Sequence, residues 1–150
     1  MRYFLRQLEL AERLGLPISV HDREAHADVL EALKKFPRVR GIIHSFSGSA
    51  EMAKELVKMG YLISFSGTIS FKNARKTKEA AAILSPSSVL IETDCPYLAP
   101  HPLRGTLNHS GKLSYTNAAL ADALGISAEE CARITEMNAK KIFGIGGDEK

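Results

Sequence analysis

The chain has 150 residues, 45% of them apolar and 25% charged, with a formal net charge of +3. That length suffices for one domain with a real core, and the balance excludes a disordered or fibrous protein. No apolar run approaches the ~20 residues of a membrane span, and the amphipathic N-terminus, with Glu9 and Glu12, lacks the apolar core of a signal peptide.

Residues 2–14 place Phe4, Leu5, Leu8, Ala11 and Leu14 on one stripe, which predicts a helix stopped by Gly15. A short apolar run at 17–20 predicts a first strand, and residues 23–36 a second helix. Further strands are predicted at 41–43, 61–65 and 88–92, with helices at 50–59, capped by Ser49, and at 73–84. Short Val- and Ile-rich runs starting 20 to 27 residues apart, separated by helices, point to a parallel sheet covered by helices. The stretch 95–111 holds three prolines and two glycines and reads as a long functional loop. Two helices follow, from about Ser114 to Leu124 and from Ser127, where Ser127 and Glu130 have the spacing of a capping box. An open doubly wound sheet and half of an eight-stranded barrel both fit this α/β order.

In parallel α/β architectures the loops after the strands form the active face. Here those positions are His21-Asp22-Arg23, His44-Ser45-Phe46-Ser47-Gly48, Ser66-Gly67 and Thr93-Asp94-Cys95. Imidazole and carboxylate at three of four strand ends suit a divalent cation. Each residue also has a plainer role, as a hydrogen-bonded structural histidine or a helix-capping aspartate. Arg23 is a candidate phosphate contact or a surface ion-pair partner. Ser45, Ser47 and Gly48 precede a helix N-terminus, where backbone amides bind anions or simply cap. Arg104 is a candidate substrate contact or loop tie. Phe46 and Tyr97 could stack on nucleobases or pack. Glu92 is assigned to the opposite face of its strand from Asp94, with a packing or ion-pair role. Cys95 and Cys131 form no CxxC pair and suit reduced thiols in the cytoplasm.

The segments VHDREA, IIHSFSGS, ISFSGTISFKNA and IETDCPYLAP, then LRG and the closing NAKKIF, occur in order along nearly the whole chain. Together they resemble the TatD family of metal-dependent deoxyribonucleases, cytoplasmic TIM-barrel hydrolases of the amidohydrolase type. The resemblance implies parallel βα units equivalent to strands five to eight of a TIM barrel, with extra C-terminal helices. It makes His21 and His44 ligands of one metal ion, Mg, Mn or Zn. Asp94 becomes the ligand of a second ion and the acceptor of a proton from the attacking water. DNA is then the substrate.

The HxH pair and the GE(I/T)GLD-like block that the family carries in its N-terminal half do not occur here, and the text after LRG runs Asn108-His109-Ser110-Gly111 rather than into an Asn-x-Pro-like turn. The expectation is a half-barrel with unpaired edges at 17–20 and 88–92 and with exposed apolar residues facing the missing strands. A complementing N-terminal half or a homodimer would cover them. The alternatives are an inactive half-barrel serving as an interaction module, and a metallohydrolase of a small ester or amide.

Overall fold

The structure, a computed structural model, describes residues 1–146. Four strands, β1 (Ile18–His21), β2 (Gly41–His44), β3 (Tyr61–Phe65) and β4 (Val89–Ile91), form one parallel sheet in the order β1-β2-β3-β4. Among the described residues the α-helices are α1 (Arg2–Leu14), α2 (His26–Lys34), α3 (Ala50–Lys58), α4 (Arg75–Ala82), α5 (Leu113–Leu124) and α6 (Ala128–Phe143). The α/β alternation, the parallel sheet and the extra C-terminal helices match the expectation. β1 and β4 are the sheet edges, as expected.

The pleat sorts each strand into two faces. Val20, Ile43, Ile63, Phe65 and Val89 point into a core shared with Leu8, Leu33, Leu56 and Leu120. The register then defines the other face: Ser19 lies beside Ile42, Ile42 beside Leu62, Ser64 beside Leu90, and His21 beside His44. Residues of that parity beyond the paired positions are Ser66, Glu92 and Asp94. The register alone therefore gathers the polar groups at one end of one face, the end at which the strands terminate.

The start of α2 departs from expectation for a local reason. α2 begins at His26 rather than 23, because Glu24 has φ of 56° and the Asp22 carboxylate accepts from the Ala25 amide at 3.2 Å. A left-handed residue breaks the helix before it starts. The last helix begins as expected, with the Ser127 hydroxyl accepting from the Glu130 amide at 3.1 Å. α6 is tied to the sheet by Asn138, whose amide donates to the carbonyls of Pro86 and Val89 at 2.9 and 2.8 Å.

Apolar exposure is more local than expected. Ile42 and Leu90, on the face turned from the core helices, are only 7% and 4% exposed. Near the open edge, Leu14 and Leu16 are each 56% exposed. There a cavity of about 460 Å³ runs between α1 and β1, lined by Phe4, Leu8, Leu10, Leu14, Ile18 and, at its end, His21 among others.

The loop after β4 folds back over the turn after β3. A Cβ on Gly67 would stand 2.6 Å from the Leu98 carbonyl oxygen, and the His101 amide donates to Ser70 Oγ at 2.8 Å. Only glycine lets the two backbones approach this closely. Gly67→Ala is expected to cost about 1–3 kcal/mol of stability by overpacking. A urea-unfolding midpoint equal to the parent's would refute that.

Candidate metal centre

His44 ends β2 and is held from both sides. Its Nδ1 lies 2.7 Å from Glu92 Oε1, and its Nε2 lies 2.9 Å from Asp94 Oδ1. Glu92 is fully engaged: Oε1 also accepts from the Ser45 amide at 2.7 Å, and Oε2 accepts from Ser64 Oγ at 2.6 Å. Asp94 uses its second oxygen, Oδ2, to accept from Ser45 Oγ at 2.9 Å. The His21 ring lies beside His44, with centroids 5.6 Å apart and planes at 45°.

The placement of Glu92 corrects the sequence expectation. It precedes Asp94 by two residues, so strand alternation puts both on the same face. Its ion-pair role stands.

One ligand atom each of His44, Glu92 and Asp94 lies within 4.8 Å of the others. They do not form one coordination sphere, because the two carboxylates address opposite nitrogens of one ring. Glu92 instead plays the part of the carboxylate behind a metal-binding histidine. It fixes the tautomer with the proton on Nδ1 and turns the Nε2 lone pair outward. Nε2 and Asp94 Oδ1 then face a cation position together, whereas His21, expected beside them, lies outside the group of three and only stacks its ring near His44. This nitrogen and oxygen set suits Zn²⁺ or a divalent ion of similar hardness. Nε2 and Oδ1 stand 2.9 Å apart, so a proton that charges His44 at Nε2 is shared with Oδ1.

The other expected site residues are dispersed. Arg23 is exposed and belongs to no ion pair among the described residues. Ser45 turns its hydroxyl to Asp94 and Ser66. Ser47 is exposed on a separate cavity of about 320 Å³ that His26, Ser49, Glu51 and Lys76 also line. Ser49, as expected, caps α3 by accepting from the Met52 amide at 3.2 Å. Arg104 lies 4.2 Å over the Phe71 ring, a tie between two loops. Phe46 is buried edge-on against Phe65, while Tyr97, near Asp94 in sequence, is 72% exposed. Sequence reasoning missed Ser64 and named Ser66 only as a strand-end position with no role; both are 1% exposed. The alternation along 61–66 was the signal that could have found them.

The family profile described as TatD related DNase matches residues 1–144. The chain belongs to the TatD family. TatD relatives include the uncharacterized metal-dependent hydrolase YabD of Bacillus subtilis, 44% identical over 95% of this chain and 56% of the relative. The uncharacterized metal-dependent hydrolase TatD of Mycobacterium tuberculosis is 43% identical over 95% of this chain and 54% of its own length. The crystal structure of the TatD homologue YjjV from Escherichia coli superposes with a TM-score of 0.84 at 34% identity, covering 92% of this chain and 54% of that one. This TatD chain thus spans about half the length of the curated relatives it matches. No helix among the described residues is long and apolar enough to cross a membrane.

Burial works against charge on His44, but the charges and hydrogen bonds of Glu92 and Asp94 outweigh it and hold its pKa above the ordinary 6.5. The folded pKa is raised, so in the metal-free protein these ion pairs contribute stability below the unfolded pKa. That contribution is lost as pH rises through the folded value. Protons and a cation compete for Nε2, so metal uptake should strengthen over the same rise. Glu92→Gln is expected to lower the His44 pKa, which an NMR titration of the ring proton measures. An unchanged titration would show that Glu92 does not set it.

Proposed function

We propose that this chain carries the C-terminal half of a TIM-barrel metallohydrolase site that cleaves phosphodiester bonds of DNA in the cytoplasm. The observation that supports it most is the buttressed His44, with Asp94 on Nε2, Glu92 on Nδ1 and His21 alongside, at the C-terminal ends of parallel strands. The sequence pI of about 8.9 suits a polyanionic substrate, and the two free cysteines suit a reducing compartment.

His21, His44 and Asp94 would hold the divalent ion. When bound, it would lower the pKa of a water and offset the negative charge of the phosphate. The protein's part is to hold the imidazole in one tautomer and to present Asp94 Oδ1 to the reacting water. The water oxygen attacks phosphorus, its proton passes to Asp94, and the P–O bond to the leaving sugar oxygen breaks. Solvent then protonates that oxygen. His44→Ala and Asp94→Asn are each expected to reduce cleavage by at least about 100-fold, on the scale of losing a proton acceptor. Hydrolysis of a DNA oligonucleotide, set beside a small ester and a small amide, provides the measurement. Turnover of the ester or amide alone would refute the DNA reading, and turnover that survives both substitutions would refute the site.

The β1 edge supports a second part of the reading. We propose that it receives the further βα units that account for the relatives' greater length. His21 ends that strand, and the apolar cavity beside it lies where a further unit would pack. Supplying the first half of a relative such as YabD as a separate chain is expected to give a one-to-one complex with metal affinity above that of this chain alone. Formation of a homodimer that excludes the added half, seen by sedimentation, would count against this.

A further inference from the structure

We propose that Ser45 is a positioning residue that sets both carboxylates around His44 at once. This rests on the metal-site reading above. Ser45 follows His44 directly and has φ of 46°, a left-handed conformation that a non-glycine residue adopts at a cost. The turn this produces has a consequence for each end of the residue. The Ser45 amide donates to Glu92 Oε1 at 2.7 Å, and the Ser45 hydroxyl reaches Asp94 Oδ2 at 2.9 Å. One residue thereby touches the carboxylate behind Nδ1 and the carboxylate in front of Nε2.

The directions of the hydroxyl protons follow by elimination. An ionised Asp94 can only accept, so Ser45 Oγ donates its single proton to Oδ2. Ser66 Oγ, 2.7 Å from Ser45 Oγ, must then be the donor to it. Thr68 Oγ1, 3.1 Å from Ser66 Oγ, donates in turn to Ser66. Thr68, Ser66 and Ser45 thus form a chain of donors all pointing at Asp94, with Ser66 buried at its centre. Each bond polarises the next. The chain occupies Oδ2 and leaves Oδ1 turned toward His44 Nε2 and the cation position.

Glycine separates this role from a merely structural one. Ser45→Gly keeps the backbone amide to Glu92 and relieves the left-handed strain, which offsets part of the cost of leaving Asp94 Oδ2 and the Ser66 hydroxyl without their partner. It removes the side chain but not the amide. We expect Zn²⁺ affinity, measured by titration calorimetry on the 150-residue chain, to fall about 10-fold or more, the scale for groups that orient metal ligands. Ser45→Ala should lose the same affinity and melt below the glycine variant, because it retains the strain. Ser66→Ala should weaken Zn²⁺ binding in the same direction by less. A Ser45→Gly chain that binds Zn²⁺ as the parent does, while His44→Ala does not, overturns the positioning role and leaves the metal site standing. A parent that takes up no Zn²⁺, or a His44→Ala chain that binds as well as the parent, overturns the metal site and this role with it.

Discussion

The placement of one imidazole governs the rest of the site. His44 can serve a cation only if its ring is fixed, its proton is on the inner nitrogen and a carboxylate stands before the outer one. Glu92 and Asp94 meet these conditions at 2.7 and 2.9 Å. Both come from the end of β4, whereas His44 comes from β2, so β3 must hold the two at the right separation. β3 does more than space them. Its Ser64 occupies the remaining Glu92 oxygen, and Ser66 completes the hydrogen bonding of Ser45.

These contacts explain why a partly buried site can carry so many oxygens. A buried polar group without a partner costs about 1–3 kcal/mol, and here each oxygen of Glu92 and Asp94 has one. The loop after Asp94 is secured by a different means. The glycine at 67 lets it lie against the turn after β3, and Arg104 over Phe71 pins its far end.

Much of this was legible in the amino-acid sequence, and the reasons differ by level. The strands were legible because parallel strands between helices read as short apolar runs. The three strand-end residues were legible because architecture assigns chemistry to that end. Glu92 was placed on the wrong face although the two-residue alternation that corrects it was in plain view. The role of Ser45 was not legible. Its positive φ has no signature in a serine, and its partners lie 21, 47 and 49 residues away, brought near only by the register. The early start expected for α2 failed for a similar reason, a positive φ at Glu24.

The open edge at β1 bears on more than shape. His21 is the last residue of that strand and has a neighbouring strand on one side only. Under the proposed function, a strand pairing with β1 on its free side would restrain His21, and a cation held by His21 would restrain the end of β1. Completing the sheet and binding the ion would then be coupled equilibria. Whatever factor one lends to the affinity of the other must be returned in equal measure.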